Sequence, residues 1–187
     1  MLLTKDNPAT QSIAAVDKTR DPLGLTPLPE ENRQRYLRFM LSQKNEALIP
    51  LSEIVEVMHL GTEDILPVPN MANCVLGICS WQGETLWLVD LNHMVGDRPL
   101  HQQSSFRLCS SAVPSVVIVV QTKWKSLGLV VEQVSDVDLF DESSIHQVSG
   151  LCPPDLEPYV LGYCPEQKGI VLSVDKMLNA PLWQACK

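Results

Sequence analysis

Six cysteines and four histidines are the residues of this sequence that could bind a metal or carry out covalent chemistry. They are Cys74, Cys79, Cys109, Cys152, Cys164 and Cys186, and His59, His93, His101 and His146. The cysteines form no CxxC pair, and none of them has a histidine at the spacing that zinc sites use. The sequence therefore predicts reduced, mostly buried cysteines, no metal site and no bound cofactor.

Sequence signatures of enzymes do not occur either. An enzyme needs a nucleophile with a base, a metal, or a cradle for a cofactor. The corresponding motifs GxSxG, GxxxxGK, HExxH and GxGxxG are missing from the sequence. Asp90 and Asp175 recur in similar surroundings, which favours a repeated turn over one active site, and Asn92 and Asp175 are candidates to cap short helical turns. A protein without catalytic residues is predicted.

The formal net charge of −8 bears on the class of partner. Nucleic acid and anionic membrane surfaces are bound by clustered lysine and arginine, so both are disfavoured as partners. The chain starts without the apolar run of a signal peptide, and its longest strongly apolar stretch, VVIVV, is too short to cross a bilayer. We therefore expect a cytoplasmic protein that neither binds nucleic acid nor inserts into a membrane.

The segmentation of the chain predicts an all-β fold. Residues 1–34 carry four prolines among polar residues and no sustained apolar period, which is typical of a flexible extension. The segment RYLRFML then alternates at the period of a half-buried strand. Many short apolar segments follow, separated by glycine and proline, and few of them are helical. Such a series indicates β-barrels or a sandwich.

The second half of the chain repeats the first. Val75–Asp90 matches Val160–Asp175, and upstream the segment around Val55 matches that around Val134. A unit this small buries little surface alone, so the copies are expected to pack together with a groove where they meet. We predict two similar five-stranded SH3-like β-barrels with short helices, over residues 35–98 and 113–179, and a tail at 183–187. Identities occur at Val75/Val160, Leu76/Leu161, Gly77/Gly162, Cys79/Cys164, Gln82/Gln167, Val89/Val174 and Asp90/Asp175.

The order of these segments resembles the CheW-like domain, from Arg35 to Leu182. The segments are RYLRFML, ALIPLSEIVEVMHL, ILPVPNMANCVLGIC, SWQGETLWLVDLNHMVG, VVIVV, SLGLVVEQVSDV, YVLGYC and GIVLSVDKML. The resemblance implies two five-stranded barrels and a non-catalytic adaptor. Its implied partners are the cytoplasmic tip of a methyl-accepting receptor and the regulatory domain of a CheA-type histidine kinase. The fourth segment is similar to forms from cyanobacterial phototaxis and pilus-motility systems.

One position departs from the family. The family usually reads Asn-Leu-Arg-Gly where this chain has Ser80–Gly83, so that the neutral Gln82 replaces an arginine. In the family that arginine faces a glutamate at the position of Glu56, and a weaker hydrogen bond is expected here. We expect the partner-binding surface to include Ile54, Glu56, Gln82 and Val134, because an apolar centre with a few polar groups gives both affinity and register.

Two alternatives stay open at this point. Each of the four candidate residues could instead be ordinary core or surface, and the tryptophans could either anchor a partner or pack in the core. The chain could also be a small-ligand sensor that uses the groove between the barrels, although no convergent polar cluster is visible in the sequence.

Overall fold

The computed structural model describes residues 33–42, 45–100, 115–123, 125–147, 150 and 152–181. The tail at 183–187 and nearly all of the extension at 1–34 lie outside these ranges, so the predictions about them stay predictions. The first strand begins at Arg33, slightly before the predicted start of order. The strands are β1 (Arg33–Ser42), β2 (Asn45–Pro50), β3 (Ile54–Leu60), β4 (Val75–Trp81), β5 (Glu84–Asp90), β6 (Ser115–Gln121), β7 (Ser126–Val131), β8 (Val134–Asp141), β9 (Val160–Cys164) and β10 (Gly169–Leu172), and the helices are α1 (Leu91–Met94) and α2 (Val174–Leu178).

The strands form two five-stranded sheets, which confirms the predicted fold class. Barrel A has the strand order β8-β1-β2-β10-β9, and barrel B has the order β3-β6-β7-β5-β4. In each barrel the chain runs from one edge strand through a short 3-10 turn. The residue that follows the turn region then forms an isolated β-bridge with the edge strand at the other side of the sheet. The bridges join Leu66 to Ile78 in barrel B and His146 to Tyr163 in barrel A. Each sheet is thereby closed on itself.

The strand composition of the barrels corrects the predicted boundaries. Hairpin β1–β2 belongs to the sheet of β8, β9 and β10, whereas hairpin β6–β7 belongs to the sheet of β3, β4 and β5. Barrels made of residues 35–98 and 113–179 are therefore wrong, because each barrel takes a hairpin from one half of the chain and three strands from the other. The link Leu51–Glu53 carries the chain directly from barrel A into barrel B.

The ladder registers show that the two barrels are copies of each other. Ile54 pairs with Val120 at the start of β3, and Val134 pairs with Phe39 at the start of β8. Each ladder then has a register shift immediately after this first pair. The duplication therefore extends to the irregularities of the strands.

Gly77 and Gly162 occupy equivalent places, as the sequence predicted. They lie on β4 and β9, opposite Leu88 and Val171. A Cβ on Gly77 would lie 2.2 Å from the carbonyl oxygen of Leu66, and one on Gly162 would lie 2.6 Å from the carbonyl oxygen of His146. Both glycines thus let the bridging segment approach the sheet closely.

A short helix follows the last strand of each barrel. The Asp90 carboxylate accepts a hydrogen bond from the His93 amide at 3.1 Å, and the Ser173 hydroxyl accepts one from the Lys176 amide at 3.3 Å. The helix caps are therefore Asp90 and Ser173, not the predicted Asn92 and Asp175. Both helices start earlier than expected because each follows its strand without an intervening turn.

Among the described residues, three apolar clusters hold the fold together. The largest lies between the barrels and combines hairpin β1–β2, hairpin β6–β7 and both helices; Phe39, Ile49, Ile118, Leu129 and Met177 are among its fully buried members. The other two fill the interiors of barrel B and barrel A. Because the shared cluster is the largest, the barrels form one body. Within the described ranges, none of the helices has the length and apolar character that crossing a membrane requires.

Glu53 gives the link between the barrels a pH dependence. Its carboxylate accepts a hydrogen bond from the Val174 amide, but burial raises the pKa of Glu53 above its ordinary value of 4.5. The folded protein therefore keeps a proton that the unfolded chain has already lost, and stability falls as the pH rises through the interval above about 4.5. Urea titrations between about pH 4 and pH 7 should show this loss in the wild type but not in Glu53→Gln.

The matched control for Glu53→Gln is Glu63→Gln, which removes an exposed carboxylate from the other 3-10 turn of the same half. It should keep the pH dependence of the wild type. Equal pH profiles for Glu53→Gln and the wild type would contradict the assignment.

Candidate protein-interaction faces

β3 and β8 expose matched sets of residues. Three consecutive residues are exposed on each strand, namely Val55, Glu56 and Val57 on β3, and Ser135, Asp136 and Val137 on β8. We call these sets the β3 face and the β8 face. Val57 is 40% exposed and Val137 is 46% exposed. Exposed aliphatic side chains grouped on a strand are typical of interaction surfaces.

The predicted contact residues Ile54 and Val134 lie beside these faces. They are the first residues of β3 and β8, and both are partly buried against the cluster between the barrels. They therefore contribute packing. Sequence reasoning missed Val57 and Val137, although each half carries an acidic residue followed by valine at this place, Glu56-Val57 and Asp136-Val137. That repeated pair is the signal that could have identified the two faces.

Glu56 and Gln82 lie near each other, but Glu56 has a different partner from the one predicted. The indole Nε1 of Trp81 donates a hydrogen bond of 2.9 Å to a carboxylate oxygen of Glu56. Gln82 is exposed in the two-residue turn between β4 and β5, where Gln82 has φ 49° and Gly83 has φ 82°. The predicted bond from Gln82 to Glu56 is thus replaced by one from its neighbour.

Trp81 also covers the interior of barrel B. Its side chain is 9% exposed and packs in the apolar cluster of that barrel with Cys79 and Leu86. The tryptophan is therefore both a core residue and the polar partner of Glu56. Of the two alternatives that the sequence left open for the tryptophans, core packing or anchoring a partner, Trp81 takes the core position.

The corresponding part of barrel A is built around Arg38. The Arg38 guanidinium donates a hydrogen bond of 2.7 Å to Asp138 and pairs with Glu46. It also donates bonds of 2.9 Å and 3.1 Å to the carbonyl and side-chain oxygens of Gln167. The hydrogen bond to Asp138 is the main cause that raises the pKa of Arg38. The cluster ties β1, β2 and β8 to the turn between β9 and β10.

The thiols are poorly suited to reaction. Burial raises the pKa of Cys74, Cys79 and Cys152 above the ordinary value of 9.0. Because the thiolate is the reactive form, these cysteines behave as small apolar residues. The described part of the chain also holds no group of three or more histidine, cysteine, aspartate or glutamate side chains placed to bind a metal ion.

Two clefts lie where α1 meets the loop before β9. The larger one, of about 510 Å³, is lined by His93, Met94, Gly96, Asp97, Pro154, Asp155, Pro158 and Tyr159. The second, of about 240 Å³, shares Gly96 and Asp97 with it and is also lined by Leu41, Asn45 and Val95. These clefts correspond to the groove predicted between the barrels. The small-ligand alternative would use them and stays a prediction.

Comparison with known proteins gives the family. The family model described as the CheW-like domain matches residues 35–181. Because this match covers most of the chain, the chain belongs to the CheW-like domain family. A comparison with curated proteins finds no match.

A solved structure agrees with the fold. The chain is similar to the crystal structure of the scaffolding protein TtCheW from Thermoanaerobacter tengcongensis, at 18% identity and a TM-score of 0.59. The similar region covers 74% of this chain and 86% of that chain. At this identity the likeness supports the two-barrel fold and nothing finer.

Proposed function

We propose that this protein is a cytoplasmic, non-catalytic adaptor that couples methyl-accepting receptors to a CheA-type histidine kinase. Membership of the CheW-like family supports the adaptor class. The observation that carries the proposal is the pair of equivalent exposed faces, one on each barrel of a single body. An adaptor must hold two partners at the same time, and two separate faces on one body meet that requirement.

The composition of the faces suits reversible protein binding. On each of these edge strands an exposed valine points to one side and the neighbouring carboxylate to the other, so the strand offers an apolar contact and a polar contact to a partner that covers its edge. The partners we propose are the regulatory domain of the kinase and the cytoplasmic tip of the receptor. The phototaxis or pilus-motility pathway stays a prediction from sequence resemblance.

Val57→Asp and Val137→Asp test the proposal directly. Each change places a charge in the centre of one face, where it must be desolvated when a partner binds. We expect each variant to lose affinity for one partner by about tenfold or more and to keep its affinity for the other. Calorimetry with the purified kinase regulatory domain and receptor tip measures both affinities.

The control is Thr62→Asp, which adds the same charge at an exposed position beyond the far end of β3. It should bind both partners as the wild type does. If the folded variants of both faces keep full affinity for both partners, the faces are not the binding surfaces. If the wild type binds neither partner, the adaptor proposal itself is wrong.

A further inference from the structure

The interiors of the two barrels are filled differently at one end. In barrel A the rings of Tyr36 and Phe140 are buried and stack with their centroids 4.1 Å apart. The registers between β1 and β8 and between β6 and β3 make Val117 the counterpart of Tyr36, and Leu60 the counterpart of Phe140. Barrel B therefore has two aliphatic side chains at the place where barrel A has two stacked rings.

A cavity of about 220 Å³ lies at the corresponding end of barrel B. Its lining includes Thr62 of the 3-10 turn after β3 and Ile65, which follows that turn. In barrel A, burial and next the carboxylate of Glu142, in the 3-10 turn after β8, raise the pKa of Tyr36 to about 12, which places the phenol ring near that turn. Ile145 follows the turn and packs against the cluster of the rings. The cavity therefore takes the place of the ring stack.

Most of the cavity wall is apolar. Its apolar lining residues are Ile65, Pro67, Leu76, Leu100 and Val130. Pro67 is exposed and marks the mouth, whereas Leu100 and Val130 are buried and form the floor. Such walls offer water few hydrogen-bond partners, and an apolar cavity of about 150 Å³ is large enough to hold benzene. The cavity of barrel B is therefore large enough to admit one aromatic ring.

The buried carboxylate of Asp90 also lines the cavity, and its oxygens have backbone donors. One oxygen accepts a hydrogen bond of 3.1 Å from the amide of His93, and the other accepts one of 2.8 Å from the amide of Leu100. A ligand is therefore not needed to supply a cation to Asp90. A ligand with a negative charge of its own would be repelled by this carboxylate.

We propose that the cavity of barrel B is a binding site for one uncharged aromatic ring. The bound ring takes the place that the stack of Tyr36 and Phe140 fills in barrel A. Binding removes the apolar surface of both the ring and the cavity wall from water, which drives the association. The ring can belong to a free small molecule or to a side chain of a partner protein, since both present the same chemistry to the cavity.

Toluene is the probe, because it is an uncharged ring without hydrogen-bonding groups. At about ten times its Kd, toluene should raise the Tm of the wild type by about 3 °C or more. Benzoate carries the same ring with a charge. It should give no such rise at the same concentration, because its carboxylate would have to be desolvated beside Asp90. Thermal unfolding across a titration of each compound measures both effects.

Cavity-filling variants locate the toluene site. Leu60→Phe combined with Val117→Phe copies the ring stack into barrel B and should abolish the rise in Tm. Phenylalanine is used at both positions because the hydroxyl of Tyr36 has no hydrogen-bond partner among the described residues. Leu76→Phe changes one residue of the cavity wall and should have the same effect if the double variant does not fold. The matched control is Leu161→Phe at the counterpart of Leu76 on β9, which is 49% exposed and should keep the rise.

Calorimetry with the kinase regulatory domain and the receptor tip identifies the source of the ring. If a partner inserts an aromatic side chain, Leu76→Phe should bind that partner about tenfold more weakly, and Leu161→Phe should bind it within about twofold of the wild type. If both variants bind both partners as the wild type does, the ring is that of a free small molecule. Only this comparison rests on the proposed function. A wild type that binds neither partner contradicts the adaptor proposal and leaves the toluene result standing.

A wild type whose Tm does not respond to toluene would overturn the inference. A rise in Tm that survives in the filling variants would do the same, because the ring would then bind elsewhere. Residues 101–114 lie outside the described ranges and connect Leu100 to Ser115, both of which line the cavity. If toluene raises the Tm of Phe106→Ala but not that of the wild type, the chain fills its own cavity and the inference is wrong.

Discussion

Gly77→Ala is expected to lower the free energy of unfolding by about 3 kcal/mol or more. The added Cβ would lie 2.2 Å from the carbonyl oxygen of Leu66, which is backbone and cannot turn aside. In addition, Gly77 has φ 146°, a conformation that side chains with a Cβ rarely adopt. The bridge from Leu66 to Ile78 that closes barrel B should therefore open or distort. Urea unfolding measures the loss.

Alanine substitutions at two other glycines distinguish the two causes of this loss, which are the collision of the added Cβ and the backbone conformation. Gly83 has φ 82° but open space around it, so Gly83→Ala should cost only about 1 kcal/mol, which is the backbone term alone. At Gly162, whose φ is not positive, the added Cβ would lie 2.6 Å from the carbonyl oxygen of His146. Gly162→Ala should therefore destabilise barrel A through the collision alone. A Gly77→Ala variant no less stable than Gly83→Ala would refute the close-approach explanation.

The duplication could be predicted from sequence, but not every identity between the two halves marks structurally equivalent residues. The identities at Gly77/Gly162 and Cys79/Cys164 are structural equivalences, since these residues pair at matching positions of β4 and β9. The identity at Asp90/Asp175 is not, because Asp90 corresponds to the helix cap Ser173. The reason is the hairpin between: six residues separate the paired Cys79 and Leu86, whereas four separate the paired Cys164 and Gly169, so the hairpin of barrel A is two residues shorter. Identical residues beyond a turn of different length need not be equivalent.

The exchange of hairpins could not be predicted from a repeated sequence. The two halves carry matching strands. Hairpin β1–β2 could therefore pair with the strands of its own half or with those of the other half. Sequence similarity relates Leu48 to Leu127 but does not say with which sheet either residue pairs. The observed ladders pair Leu48 of β2 with Val171 of β10, and Gly128, the neighbour of Leu127 on β7, with Leu88 of β5. Only the spatial path of the link Leu51–Glu53 decides between these arrangements.

The two candidate faces were partly predictable. Ile54, Glu56, Gln82 and Val134 all lie on or beside them, but strand period alone could not show which apolar residues are exposed. Ile54 and Val57 pair with Val120 and Ile118 on β6, so the register shift after Ile54 places both on the same side of the sheet, although only Ile54 packs against the cluster between the barrels. A bulge of this kind has no strong sequence signature. The neighbouring acidic residues gave the better signal, because they recur in both halves.

Arg38→Met should lower the free energy of unfolding by about 2–3 kcal/mol. The side chain of Arg38 is 13% exposed and that of Asp138 is 17% exposed, so the charges are largely removed from water. Without the guanidinium, the carboxylates of Glu46 and Asp138 repel each other and lose their hydrogen bonds. Urea unfolding at neutral pH measures the loss.

Barrel B supplies the matched control for this cluster. The ladders equate Arg38 with Val119, Asp138 with Met58 and Glu46 with Ser126. A triple variant, Arg38→Val, Asp138→Met and Glu46→Ser, gives barrel A the side chains that barrel B already packs around its own core. Because replacing a desolvated ion cluster with well-packed apolar groups is often neutral or better, the triple variant should recover most of the stability lost in Arg38→Met. If it is instead less stable than Arg38→Met, the two barrels are not interchangeable at this place, and the cluster depends on the turn around Gln167 as well.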